Sequence, residues 1–171
     1  MNKHGSTQRH RPIAPQATAG VTIAMESPLS PDLDLLFARH VQAMHADTPP
    51  GSIHMLPRED LVSPLIDFLV LRVKRAPVGM GALKQIAAGH GEIKSMHILS
   101  ERRGEGYARR LLDALIDQAR TRNYLRVSLE TGAQDSFGAA RVLYARAGFA
   151  ECAPFTGYVP DPNSVFMTRE V

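Results

Sequence analysis

From Glu92 to Glu130 the chain carries one pattern that any fold for it must satisfy: an extended run, a turn, a helix and a second extended run. Glu92 to Leu99 is the first run, and Gly104 and Gly106 lie in the turn. Gly106 to Arg122 follows with Ala108, Leu111, Leu112, Leu115, Ile116 and Ala119 at helical spacing, while Arg109, Arg110, Asp113, Asp117 and Arg120 point elsewhere. Leu125, Val127 and Leu129 then alternate with Arg126, Ser128 and Glu130, the two-residue period of a strand. A strand that returns through a helical crossover lies parallel to the one it left. The sheet must therefore hold a parallel pair.

The remaining elements arrange themselves around that unit. Val21 to Glu26 reads as a short strand ended by Ser27-Pro28. Pro31 to His45 reads as a helix with Ser30 as N-cap and with Leu33, Leu36, Phe37 and Val41 near one face. Asp47 to Gly51 breaks the chain, and Arg58 to Ser63 adds a helical turn within a loop region. Asp67 to Val73 and Val78 to Ile86 are strands joined by Lys74-Arg75-Ala76-Pro77, a hairpin-length connection, and a short turn at Gly89 to Gly91 leads into the run from Glu92. Ser136 to Ala147 is a helix closed by Gly148, and Phe149 to Tyr158 and Val165 to Glu170 supply final strands. The expected class is α/β (α+β): a mixed central sheet of about six to seven strands flanked by helices.

The length of 171 residues favours one domain, with residues 1–20 a polar, disordered tail and 21–171 the folded unit. That tail holds Lys3, Arg9 and Arg11 and no acid, so the other 17 basic side chains meet 17 acidic ones and the folded unit is neutral. A nucleic-acid surface would show clustered basic charge within the domain, and none is expected here. Cys152 is the single cysteine, which excludes an internal disulfide and reads as a small buried apolar residue. No run of about 18 apolar residues and no signal-peptide pattern occurs, so a soluble, cytoplasmic protein without membrane contact is expected. His40 and His45 are five apart and share no helical face, and no His-Glu-x-x-His is present, so no metal site is expected.

The strand, glycine turn and helix start form an anion cradle, because first-turn amides have no intrahelical partners and lie at the positive end of the helix dipole. A P-loop would need Gly-Lys-Ser/Thr after the turn, which is missing. A dinucleotide fingerprint fits Gly104 and Gly106, with Glu130 near the position of a ribose-binding acid, but Arg109 stands where the third glycine belongs. The order Arg103-Gly104-Glu105-Gly106-Tyr107-Ala108 instead resembles the Arg/Gln-x-x-Gly-x-Gly/Ala pyrophosphate loop of the GCN5-related N-acetyltransferases. Ala140-Arg141-Val142-Leu143-Tyr144-Ala145-Arg146-Ala147-Gly148-Phe149 resembles that family's second signature, Ala-x-x-Leu-Tyr-x-x-x-Gly-Phe.

The resemblance implies acetyl transfer from acetyl-CoA to a primary amine by direct attack through a tetrahedral intermediate. It also implies a parallel pair that splays apart, with the pantetheine arm of coenzyme A lying against Met96, His97 and Ile98. Arg103, Gly104, Glu105, Gly106, Tyr107, Ala108 and Arg109 would then hold the pyrophosphate, largely through backbone amides, and the Ile98 amide would face the thioester oxygen. Tyr144 takes the place of the acid that protonates the leaving thiolate; as a bland alternative it completes the Ala140, Leu143, Ala147 core stripe. Glu92 matches a general base, with Glu130 competing for that role or for the substrate cation, and His97 is a second acceptor-site candidate. Strand alternation puts Lys94 and His97 on opposite faces. Phe137 replaces an asparagine common in the family, leaving that pantetheine contact absent or supplied by Gln134 or Ser136. The acceptor would be a small amine, an amino acid or a peptide terminus, and a homodimer is compatible with the pattern. A non-catalytic acyl-CoA sensor is the competing class.

Overall fold

The computed structural model describes residues 20–171. The expected tail, apart from Gly20, lies outside them. In chain order the strands are β1 (Val21–Met25), β2 (Ile66–Val73), β3 (Ala76–Ala87), β4 (His90–Ile98), β5 (Arg126–Gly132), β6 (Ala150–Glu151) and β7 (Ser164–Glu170). The helices are α1 (Asp34–Asp47), α2 (Tyr107–Thr121) and α3 (Gly138–Arg146). All seven strands form one sheet ordered β1-β2-β3-β4-β5-β7-β6. Only β4 and β5 run parallel, as the crossover through α2 requires; the other neighbours are antiparallel.

Two apolar layers cover the sheet. Leu111, Leu112, Leu115, Ile116 and Ala119 of α2 are buried with Leu83, Ile93, Val127 and Leu129 and with Tyr144, Ala147 and Phe149 at the α3 end. On the opposite face Leu33 and Leu36 pack with Phe68, Val70, Met80 and Ala82, closed by Leu61 and Leu99. A methyl group on Gly81 would meet Leu115 Cδ1 at 2.9 Å, so the glycine lets α2 press directly on β3.

Several boundaries differ from expectation for identifiable reasons. The hairpin turn is only Lys74-Arg75, with φ of 48° and 76° at the two positions, the left-handed pair that suits the twist of a two-residue loop. Helix α1 starts after a 3-10 turn at Pro31–Leu33; Ser30 makes no capping bond, and Val41 is 40% exposed while His40 takes the buried position. Leu125 precedes β5 and is 75% exposed, so the strand's inward set begins at Val127. The expected strand from Phe149 to Tyr158 reduces to Ala150–Glu151; Pro154, Pro160 and Pro162 lack the N–H that a longer ladder needs, and 152–163 form a loop.

The end of α2 is pinned to β2 by a buried carboxylate. Asp67, 6% exposed, accepts from Gln118 Nε2 at 2.8 Å and from Arg122 Nε at 2.7 Å, with a second Arg122 contact to its other oxygen. Burial by itself would raise this carboxyl, but the Arg122 and Gln118 bonds outweigh it and hold it below the usual range. Its folded value is depressed, so its contribution to stability is complete above the unfolded value of about 3.9 and is lost as pH falls through the folded value. Asp67→Ala should lower stability by about 2 kcal/mol in urea titrations near neutral pH, less than for a fully dry pair because Arg122 is 36% exposed. The difference from wild type should shrink in strong acid; a constant difference would remove the charge from the explanation.

Candidate active site

Strands β4 and β5 are paired only from His90↔Arg126 to Ile93↔Leu129. Both continue, β4 to Ile98 and β5 to Gly132, without pairing to each other. The sheet therefore opens at its centre, and β4 turns an unpartnered edge toward the gap. Ser95, with φ of 53°, marks the cause: Ala82 pairs with Lys94 and Met80 with His97, so two steps on β3 face three on β4. This is a bulge, which bends the strand and sharpens its twist. It also overturns the strict alternation expected for β4, because direct partners share a face. Lys94 and His97 lie on the same side, toward α1.

The opening is a cleft of about 110 Å³ lined by His40, Met44, His54, Met55, Lys94 and Glu130 on its side toward α1. Met96, Gly132, Phe137, Ala140 and Tyr144 complete the wall toward α3. Tyr144 is 8% exposed, and its hydroxyl points to Met96 Sδ at 3.8 Å, a weak partner. Burial, helped by the charge of Glu130, pushes this phenol up to about 12, so it keeps its proton at neutral pH. The ring also packs edge-on with Phe149 at 6.0 Å, so a core role and a cleft role coexist.

Glu92 is not the exposed strand-end carboxylate that its position in the sequence allows. It is 3% exposed, and its Oε1 accepts from Lys94 Nζ at 3.0 Å and from the Tyr158 hydroxyl at 2.5 Å. Lys94 Nζ also donates to the Tyr158 oxygen at 2.7 Å, closing a triangle. Glu92 pairs with Ser128, so Glu130 lies two residues farther along the same face. Glu130 Oε1 accepts from Ser164 Oγ at 2.7 Å. Burial raises the Glu130 carboxyl; the Ser164 bond and the charges of His54 and Lys94 oppose the rise, and Glu92 adds to it.

Other expected residues fall in different places. His97 is 8% exposed, does not line the cleft, and lies beside His40 with 5.5 Å between ring centroids. Burial lowers both imidazoles to about 4, so neither is a cation at neutral pH. Ile98 is buried over Gly79 at the end of β4. Tyr158, His54 and Met55 carry no periodic signal because loops bring them in, whereas Met44 reaches the cleft from α1. The Glu92-x-Lys94 spacing on one strand face was the available signal for the ion pair.

The turn before α2 is built as an anion cradle. Gly104 and Gly106 have φ of 80° and 78°, and a Cβ on either would meet no atom within 4 Å, so their amides stand open. Arg103 is exposed beside them. Arg102 is held by Glu105 at 2.7 Å and by the Tyr107 hydroxyl at 3.1 Å, and Arg109 by Asp113 at 2.9 Å, which leaves the cradle mainly a backbone device. Tyr107 itself anchors the helix in the core. Beyond the gap, the amide nitrogen and oxygen of Gln134 are buried without a hydrogen-bond partner. Such atoms carry an uncompensated desolvation cost of about 1–3 kcal/mol and suit a ligand with amide groups. Among the described residues no group of three His, Cys, Asp or Glu side chains is gathered to hold a metal, and no helix is long and apolar enough to cross a membrane.

An open glycine turn at the start of α2, a free β4 edge and the orphan Gln134 amide are the features that a coenzyme A site would use. The acetyltransferase (GNAT) family model matches residues 37–149, and the chain belongs to this family. Its members draw on acetyl-CoA, and the cradle, β4 edge and Gln134 suit the pyrophosphate and pantetheine of that cosubstrate. An uncharacterized N-acetyltransferase of Bacillus subtilis, YsnE, is 43% identical over 136 residues, covering 80% of this chain and 90% of its own. The IAA acetyltransferase of Azospirillum brasilense is 38% identical over 151 residues, covering 87% and 97%. Escherichia coli YedL, likewise an uncharacterized N-acetyltransferase, is 36% identical and covers 86% of this chain and 92% of its own.

Gly106→Trp should fill the cradle and weaken acetyl-CoA binding by at least about tenfold, read by calorimetry, since a side chain there excludes the phosphate from the amides. Unchanged affinity would take the loop out of the cofactor site.

Proposed function

We propose that the protein is an acetyl-CoA-dependent N-acetyltransferase whose acceptor, a primary amine, attacks the bound thioester directly without an acyl-enzyme. The observation that carries the acceptor reading is the charge inside the gap: the buried Glu92 is paired with Lys94, while the half-buried Glu130 on the same face takes its hydrogen bond from Ser164 rather than from the lysine. A buried cluster with an excess negative charge is completed by a cation, and an amine arrives at neutral pH mainly as ammonium. A small amine, an amino acid or a peptide terminus meets that requirement.

The residues divide the work by their surroundings. Glu92 Oε1 already holds Tyr158 and Lys94, whereas Glu130, raised by burial and with Ser164 on one oxygen, is the better proton acceptor for the ammonium. Glu92 then acts mainly as the fixed anion of the cluster, one role short of the base expected from its position. The nitrogen adds to the thioester carbon to give a tetrahedral intermediate, and as that intermediate collapses the carbon–sulfur bond breaks and Tyr144 gives its proton to the departing sulfur. The second proton lost by the acetylated nitrogen returns to the tyrosine oxygen through solvent. The Ile98 amide stands on the edge of β4 where the thioester oxygen would gather charge. Gln134 supplies the pantetheine contact for which Phe137 is unsuited. Glu130 also serves as the docking point for the ammonium.

An amine-panel screen for thiol release tests the reading. Saturable acetyl-CoA binding with no amine-dependent release would instead indicate a non-catalytic acyl-CoA sensor. Tyr144→Phe should reduce kcat by roughly 10²-fold, within the usual range for a lost acid, while acetyl-CoA affinity stays within about twofold. Glu130→Gln should reduce kcat similarly at neutral pH, with the loss easing as pH rises and free amine becomes available. A Glu130→Gln enzyme with an unaltered pH–rate profile would leave the proton with another group.

A further inference from the structure

The loop 152–163 is tied to the centre of the sheet by one side chain. Tyr158 is half-buried, and its ring stands edge-on to Phe155 at 5.0 Å, to Phe166 at 5.2 Å and to His54 at 5.0 Å. This packing fixes the position of the hydroxyl. The phenol then uses its single proton on Glu92 and its lone pair on Lys94. Lys94 Nζ lies 5.4 Å from the same ring's centroid, a further attraction along the same line.

Lys94 has a second carboxylate within electrostatic reach, Glu130. Both are on the same sheet face, and a lysine side chain with four methylenes can change partners across such a gap. We propose that Tyr158 is a positioning residue of the acceptor site: it commits Lys94 to Glu92 and so keeps Glu130 unpaired by any cation until the acceptor ammonium arrives. This rests on the reading of Glu130 as ammonium dock and proton acceptor. A lysine on Glu130 would occupy the acceptor's place and make the carboxylate a poorer base. The lock thus sets both acceptor affinity and basicity while touching neither the acetyl group nor the amine.

The groups facing Glu130 are Glu92 and Lys94 from β4, His54 from the loop after α1, Ser164 from β7, Tyr144 from α3 and Tyr158 from the 152–163 loop. Tyr158 stays a phenol at working pH, since burial and the adjacent Glu92 push it well above its ordinary value. Of the groups that carry charge there, Lys94 is the mobile cation. Its capture by Glu130 must lower that carboxyl, because an opposite charge favours the ionised form.

The test is a carboxyl carbon-13 NMR titration of the full chain labelled at glutamate, with the Glu130 signal assigned from Glu130→Gln. In Tyr158→Phe the ring packing remains and the lock is lost; the Glu130 midpoint should fall by about one pH unit or more. In Tyr158→Phe/Lys94→Met it should return to the wild-type value or above. Lys94→Met alone, which leaves the aromatic packing intact, should move it upward by less than the Tyr158→Phe fall. A merely structural tyrosine would lower the melting temperature in Tyr158→Phe and leave the titration where it was. An unmoved midpoint, or a fall that Lys94→Met does not reverse, overturns the proposal. The titration is read without turnover, so a protein that acetylates no amine overturns the acceptor reading while this result stands or falls by itself.

Discussion

The failure of β4 and β5 to stay paired is the constraint on which the rest depends. Four register pairs hold the strands together, from His90↔Arg126 to Ile93↔Leu129, and beyond them the bulge at Ser95 turns β4 aside. Broken pairing in the middle of a sheet leaves backbone polar groups without partners, a cost of about 1–3 kcal/mol for each buried one. The fold tolerates this because β3 grips the other side of β4 as far as Ile98 and because α2 clamps the same region through Leu111 and Leu115. The open edge is paid for by the packing around it.

The same opening brings opposite faces of the sheet into one space. Tyr144 belongs to the apolar layer under α2 and α3, whereas Glu92, Lys94 and Glu130 belong to the side of α1. In an intact sheet the phenol and these carboxylates would be separated by a wall of backbone. In the proposed reaction, the gap would let a proton donor act from one side of the reacting carbon and a proton acceptor from the other. It also explains why Tyr144 and Glu130 influence each other electrostatically.

What was legible in the sequence follows from how local its physics is. The crossover from β4 through α2 to β5, the cradle glycines, and the Leu143-Tyr144 stripe ending at Gly148 are contiguous patterns, and all three stand where the pattern puts them. The bulge is different: Ser95 has no glycine beside it to signal a positive φ, so period-two alternation misassigned the face of His97 relative to Lys94. The lost strand after Phe149 was readable in part from its prolines, but apolar residues outweighed them. The segment around residues 154–163 reads as part of the acceptor region, but Tyr158 is not distinguished within it, because its hydrogen-bond partners lie more than sixty residues away on β4 and only the closed sheet brings them together.

The glycine turn before α2 and the cleft wall toward α1 belong to parts of the molecule that obey different rules. The cradle, β4 and α2 form one hydrogen-bonded, densely packed block in which a change at one residue disturbs many. The cleft wall toward α1 instead includes an irregular loop around His54-Met55, which meets the loop around Tyr158 through a ring contact of 5.0 Å. Loop residues of this kind can be exchanged without repacking a core. A lineage built on this scaffold could therefore drift from one amine to another quickly while its donor chemistry stayed fixed, and shared ancestry would be a poor guide to shared acceptors.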